Sequence, residues 1–247
     1  MKKITVILPM FELTPDVRRA VKSIGSQDIS EQVEIKIADL RKTGSGGKTA
    51  ENCSLEDIRK DRGCDVELLT EPGLPLEILN RAVEGVQGEY VLFLPQNCIL
   101  TKDVLGILYA RGMEKQADIL IGNCGKQKGK KIQKSETVES LFHGNESENL
   151  VNEKKALAET SSLYNKLYRT ALIREHRVKF AKFRSARKPD FVQQAMDGSS
   201  KIYAINREIY ICDYKPIREY NAKPPMERGV AFARRTLRKA KKTIVKK

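Results

Sequence analysis

Tryptophan is absent from the sequence, aromatics make up only 6% of it, and histidine occurs twice, at His143 and His176. A surface that stacks exposed bases needs rings beside its positive charge, so specific nucleic-acid binding is not expected. The five cysteines (Cys53, Cys64, Cys98, Cys124, Cys212) contain no Cys-x-x-Cys and, with so few histidines, no zinc-ligand spacing. An odd, scattered set without a secretion signal predicts free thiols in a reducing compartment. No apolar run approaches the roughly 20 residues that cross a bilayer. The start, Met-Lys-Lys-Ile-Thr-Val-Ile-Leu-Pro, is basic then apolar, but it lacks a full h-region and a small-residue cleavage site. It reads as the first strand of a cytoplasmic protein. The sequons Asn52-Cys-Ser54 and Asn145-Glu-Ser147 would then go unused.

What is present is a chain of 247 residues, 40% hydrophobic and 32% charged, with a formal net charge of +14. That length suits one large α/β domain or two small ones. The charge suits nucleic acid, anionic lipid or phosphorylated small molecules as partners, or a solvated basic surface.

The chain is organised around residues 88–100. Tyr90 to Leu94 is a short unbroken run of β-formers, the pattern of a strand covered on both faces. Pro95 ends it, and polar Gln96 and Asn97 follow where open α/β sheets place their ligands. Before it, Ile4 to Leu8 reads as a buried strand closed by Pro9. Thr14-Pro15-Asp16 starts a helix whose inward face is Val17, Ala20, Val21 and Ile24. Val33 to Leu40 reads as a strand containing Asp39. Residues 41–49 (Arg-Lys-Thr-Gly-Ser-Gly-Gly-Lys-Thr) imitate a phosphate loop, but Lys42 stands where its first glycine is required, so a flexible basic loop is expected, with a helix over Ser54 to Lys60. Val66 to Leu69 reads as a strand, and Leu76 to Val86 as a helix burying Leu76, Leu79, Ala82, Val83 and Val86. Thr101-Lys102-Asp103 caps a helix running to about Lys115. Ala117 to Gly122 reads as a strand, and basic residues 125–136 as a loop.

The order of these pieces resembles the family 2 glycosyltransferases. Gly88-Glu-Tyr-Val-Leu-Phe-Leu-Pro-Gln-Asn-Cys98 is similar to that family's "GEYilFlDsDD". Pro9, Gln27 and Asp39 fall on its opening pattern, and Gly73, Asn80, Gly88, Glu89 and Tyr90 on its middle. Asn165-Lys166-Leu-Tyr-Arg169 looks like the "wnKLyrr" of capsule- and teichoic-type members, and Lys188-Pro-Asp190-Phe falls on "EDxxf". The resemblance runs from about residue 3 to 215. It implies a GT-A fold: a mixed, mostly parallel central sheet flanked by helices, spanning residues 1–220.

The resemblance also implies inverting sugar transfer from a nucleotide-sugar donor to a cell-surface glycan or teichoic acid precursor. Asp190 would be the catalytic base; Pro9, Asp39 and Asn97 would line the nucleotide-sugar site; Asn165 and Lys166 would lie on the acceptor side. The family's metal-binding Asp-x-Asp positions are occupied by Pro95 and Asn97, so a bound Mn or Mg ion is not expected. Leu40 likewise replaces an aspartate. These departures leave a second reading open, a catalytically silent GT-A domain that scaffolds a membrane-associated glycopolymer enzyme.

After Pro224-Pro225, residues 227–247 read as a basic amphipathic helix, with Val230, Ala233, Leu237, Ala240 and Ile244 on one face. Such a helix suits an anionic membrane surface or a lipid-linked acceptor, placing the protein peripherally on the inner face of the cell membrane. It equally suits packing on the domain or on a partner.

Overall fold

Strand-forming runs and amphipathic helices alternate along the first hundred residues, and that alternation builds a parallel sheet covered on both faces. The computed structural model describes residues 1–41, 64–70, 73–128, 131–136, 138–141, 148–152, 156, 160, 162–181 and 190–213. The expected helix at 54–60, the basic helix at 227–247 and the domain boundary at 220–221 lie outside these residues. The strands are β1 (Ile4–Met10), β2 (Val33–Asp39), β3 (Asp65–Leu69), β4 (Tyr90–Phe93), β5 (Cys98–Leu100), β6 (Ile119–Lys128), β7 (Lys131–Glu136), β8 (Glu148–Val151), β9 (Lys166–Arg169) and β10 (Ile202–Asp213). They form one mixed sheet in the order β3-β2-β1-β4-β9-β6-β10-β5, with β7 on β6 and β8 on β10. The run β3-β2-β1-β4 is parallel, as is β6 with β10.

Period-two alternation in β1 divides the core into two layers. Ile4, Val6, Leu8 and Met10 pack with Val17, Ala20, Val21 and Ile24 of α1 (Pro15–Gly25) and with Val104, Leu105 and Leu108 of α3 (Val104–Lys115). Ile7 points the other way, among Ile78, Leu79, Ala82 and Val83 of α2 (Pro75–Glu84), Leu172 and Ile173 of α4 (Thr170–Glu175), and Phe191, Val192, Ala195 and Met196 of α5 (Phe191–Asp197). Gln27, just past α1, ties the first layer together. Its Nε2 donates to Ser23 and Thr101 carbonyls, and its Oε1 accepts from Leu105 N.

The amino ends of the strands are joined by a buried polar network. Thr5 Oγ1 donates to Glu34 Oε2 at 2.8 Å and accepts from Gly88 N at 2.9 Å; Gln87 N also donates to Glu34. Lys36 is buried between Glu34 (3.0 Å) and Glu67. Burial alone would depress its ammonium, but the bonds to Glu67 and Glu34 outweigh that and hold it above its ordinary value.

Three expectations are corrected. Pro9 does not close β1, which continues to Met10 on β2. Residues 125–136 are not a loop: β6 runs on to Lys128 and turns back as β7. Charge masked the pairing there, since a solvated hairpin needs no apolar alternation. Thr101 does not cap α3; its hydroxyl donates to the Glu208 carbonyl, and Asp103 takes the N-cap place with a left-handed φ of 53°.

Gly88 is the tightest point of the parallel ladder. A Cβ there would lie 2.6 Å from the Ile4 carbonyl carbon, which is backbone and cannot yield. Gly88→Ala is therefore expected to cost about 1–3 kcal/mol through overpacking. A denaturant midpoint equal to wild type would contradict this.

Candidate active site at the carboxyl ends of the parallel strands

β1 stops pairing with β4 after Ile7, while its pairing with β2 runs on to Met10. Leu94 N donates to the Ile7 carbonyl at 3.0 Å, and Leu40 N to the Met10 carbonyl at 2.8 Å. Peptide groups alternate along a strand, so Ile7 and Pro9 face β4 while Leu8 and Met10 face β2. Proline has no N–H to offer. Pro9 therefore costs nothing on the β2 side and ends the ladder on the β4 side. Beyond that point a side chain spans the gap: Gln96 Oε1 accepts from Phe11 N at 2.6 Å and Glu12 N at 3.3 Å. Gln96 is fully buried, and its Nε2 has no acceptor among the described residues.

The two strands flanking β1 carry the remaining polar groups. On β2, Asp39 accepts from its own neighbour Arg41: Nε to Oδ1 at 2.9 Å, Nη2 to Oδ2 at 2.7 Å, and Arg41 N to Oδ1 at 3.1 Å. After β4, Leu94 is fully buried, Cys98 N donates to the Pro95 carbonyl, and Asn97 is half-buried. One strand spacing on either side of β1 places Asp39 and Gln96 roughly 10 Å apart.

Asp190 reaches this region through aromatic packing. It is the N-cap of α5, its Oδ1 accepting from Gln193 N at 2.8 Å. The next residue, Phe191, packs edge-on to Phe93, the last residue of β4, at 5.3 Å and to Tyr168 at 5.5 Å, and stacks on Phe180 at 4.6 Å. Asn80 of α2 fixes Phe180 by bonding both its N–H and its carbonyl. Tyr168 is wholly enclosed, and burial together with the nearby Asp190 charge pushes its phenol well above the ordinary value.

Asn165 and Lys166 arrive at the same end of the sheet because β9 runs antiparallel to β4, Leu92 opposite Leu167. Both are fully buried. Asn165 Nδ2 donates to the Gly122 carbonyl, and Lys166 Nζ to the Ser162 carbonyl (2.5 Å), Asn165 Oδ1 (2.8 Å) and Thr160 Oγ1 (3.3 Å). They brace the turn before β9 rather than project from it. The structure thus sets Pro9, Asp39 and Asn97 at the ends of three adjacent strands, with Phe191, the residue after Asp190, packed against the end of β4. A cleft of about 590 Å³ bordered by Gln87, Glu89, Arg169 and Arg174 lies at the opposite, amino-terminal edge of β4, away from all of these groups.

The sequence-based expectation of free thiols fails at Cys98 and Cys212, which form a disulfide between residues 114 apart in sequence. The partners are directly opposite in the antiparallel β5–β10 pair, a long-range pairing that leaves no trace in cysteine spacing. The bridge anchors the segment after Asn97 to the end of β10. Cys64 is half-buried, and burial pushes its thiol up to about 11, so it stays protonated at neutral pH.

The end of β4 does not suit a divalent cation. Hard cations take charged oxygens. Pro95 has no side-chain donor, Gln96 Oε1 is already taken, Asn97 is neutral, and the Cys98 sulfur is in a disulfide. Among the described residues, no three His, Cys, Asp or Glu side chains gather as metal ligands.

With this geometry established, comparisons with known proteins settle the architecture. The structure superimposes on crystal structures of S. aureus TarS 1–349, with UDP-GlcNAc (TM-score 0.66, 23% identity, 86% of this chain and 59% of that one) and with UDP (TM-score 0.65, 23% identity, 87% and 61%). The chain has the TarS fold. In sequence it is 25% identical over 213 residues to the poly(ribitol-phosphate) beta-N-acetylglucosaminyltransferase TarP of Staphylococcus aureus, covering 84% of this chain and 61% of TarP. It is 27% identical over 122 residues to the glycosyltransferase GlyA of Streptococcus pneumoniae, 49% of this chain and 16% of GlyA. It thus spans about 60% of TarP and far less of GlyA. No protein-family profile matches the sequence. No helix among the described residues is long and apolar enough to cross a membrane.

Arg41 and the disulfide were not singled out from sequence. Arg41 was hidden in a basic run, and only the fold reveals that it closes on Asp39. The disulfide constrains the unfolded chain by closing a loop of 114 residues, worth about 4–5 kcal/mol in the chain-entropy account. Reduction is expected to lower the melting temperature, and Cys98→Ser/Cys212→Ser to match reduced wild type and no longer respond to reductant. Identical melting with and without reductant would contradict the bridge's stabilising role.

Proposed function

We propose that this protein is a glycosyltransferase of teichoic-acid type, moving a sugar from a uridine-diphosphate sugar to a hydroxyl of an anionic glycopolymer. The observation that carries the reading is the joint one: likeness to TarP over 84% of the chain, with Asp190 next in sequence to Phe191, which packs on Phe93 at the end of β4. In TarS this fold binds UDP-GlcNAc and UDP. A poly(ribitol phosphate) acceptor, the polymer in TarP's name, would be drawn by the chain's net charge of +14.

The chemistry is a single displacement. The acceptor hydroxyl loses its proton to Asp190, whose Oδ2 carries no hydrogen bond among the described residues while Oδ1 holds the helix. The hydroxyl oxygen bonds to the anomeric carbon as the bond to the diphosphate oxygen breaks, inverting that centre and releasing the nucleoside diphosphate. Donors must meet the charge growing on the leaving group. Pro95 and Asn97 stand where the family 2 pattern has its metal-binding aspartates, so the chain's own N–H groups and cations carry that task. Asn165 and Lys166 serve the acceptor side by holding the turn before β9. Residues 227–247 would bring the enzyme to an anionic membrane surface bearing the acceptor, or to a partner glycopolymer enzyme, as a second unit beside the 1–220 domain. The silent-scaffold reading is supported by the same replacements at Leu40, Pro95 and Asn97, but the curated relatives are named as transferases.

The test is sugar transfer from labelled UDP-GlcNAc, and from a panel of other nucleotide sugars, to poly(ribitol phosphate). Asp190→Asn is expected to lower transfer about 10²–10⁴-fold, the span of general-base loss, with donor affinity unchanged. Wild-type protein that neither transfers nor hydrolyses any donor would overturn the assignment.

A further inference from the structure

We infer that Arg41, rather than Asp39, is the group on β2 that meets the donor nucleotide, and that Asp39 is the positioning residue that aims it. The inference rests on the nucleotide-sugar reading above.

Both carboxylate oxygens of Asp39 are occupied. Arg41 Nε lies 2.9 Å from Oδ1 and 3.1 Å from Oδ2, Nη2 lies 2.7 Å from Oδ2, and Arg41 N adds a bond to Oδ1. The Asp39 side chain is 11% exposed and that of Arg41 27%, so the guanidinium covers the carboxylate and presents the accessible surface. A ligand N–H that sought Asp39 would have to break a bidentate, charge-assisted pair and leave the guanidinium without its partner. A ligand oxygen has no such cost. Arginine carries five N–H donors in a planar fork, and the Nη1 edge of Arg41 has no partner among the described residues. The fork is already held in one orientation, so binding loses little further side-chain freedom.

The surroundings ask for such a group. Leu40, the preceding residue, is hydrogen-bonded to Met10 at the end of β1, which fixes where the Arg41 backbone leaves the sheet. Across β1, the end of β4 brings no carboxylate to hold a cation, and Gln96 brings a buried amide Nε2 with no acceptor among the described residues. An arginine that stays charged at every working pH, its bond to Asp39 holding it above its ordinary value, is a fixed positive charge at this end of the sheet. The ligand chemistry is an acceptor oxygen of the nucleotide, on the diphosphate or on the base.

The experiment is calorimetric titration of the full chain with UDP and with uridine, for wild type, Arg41→Ala, Arg41→Gln and Asp39→Asn, each checked for an unchanged melting curve. Both Arg41 variants are expected to lose roughly 10- to 100-fold in UDP affinity, the worth of a charged hydrogen bond. Asp39→Asn should lose less, because the guanidinium remains present but poorly aimed. Added guanidinium ion should restore UDP binding to Arg41→Ala but not to Arg41→Ala/Asp39→Asn, a result that a merely structural Asp39 would not produce. A loss for UDP but not uridine assigns the contact to the diphosphate; a loss for both assigns it to the base. Unchanged or tighter binding by both Arg41 variants, with the larger loss in Asp39→Asn, overturns the inference and leaves the donor reading intact. If wild type binds none of UDP, GDP, CDP and ADP, the donor reading itself fails.

Discussion

A missing hydrogen at Pro9 shapes this molecule more than any bond that is present. β1 lies between β2 and β4, and its odd residues serve β4. At Pro9 that service stops for want of an N–H, while the even residues continue to β2 as far as Met10. Pairing that ends on one side and continues on the other frees the β4 side of β1 at the carboxyl end of the sheet, where open α/β folds hold their ligands. Gln96 bridges that side with one amide oxygen shared by Phe11 and Glu12. The place where the ladder ends is thus a consequence of backbone chemistry, and the side chains are arranged around it.

Everything at that end of the sheet is held from behind. The Thr5–Glu34–Gly88 network locks the opposite ends of β1, β2 and the lead into β4, so the register that brings Pro9 level with the end of β4 cannot slip without stranding buried polar groups. The Phe93–Phe191–Phe180 cluster brings the start of α5, and with it Asp190, to the end of β4. Lys166 is a buried cation braced by carbonyl and hydroxyl oxygens. Its place is the turn before β9, adjoining the end of β4 by antiparallel pairing. The disulfide restrains the segment after Asn97 covalently, where β5 has only three residues with which to hold it.

Much of the fold was legible. Tyr90–Leu94 and Ile4–Leu8 are short runs of β-formers, Val33, Ile35 and Ile37 alternate as a strand does, and Val17, Ala20, Val21 and Ile24 are spaced for one helical face. Where the reading failed, it failed for a physical reason. Pro9 reads as a stop in the sequence, but a proline's missing donor matters on one side only, and which side depends on a register not visible in the residues. The β6–β7 hairpin is too polar to show a period. Cys98 and Cys212 look like isolated thiols until two distant strands pair.

For the site, the family 2 motifs pointed to Asp39, Asn97 and Asp190, although a carboxylate at a helix start also has an ordinary structural use, as Asp190 shows by capping α5. They could not show that Asp39 is spoken for. Whether a carboxylate is free or covered depends on where its neighbours' side chains come to rest, and that is settled by packing at distances of about 3 Å. Local pattern governs which elements form and what chemistry they carry. Register, enclosure and pairing govern which of those groups a ligand can touch, because they arise from contacts between segments that have no knowledge of one another along the chain.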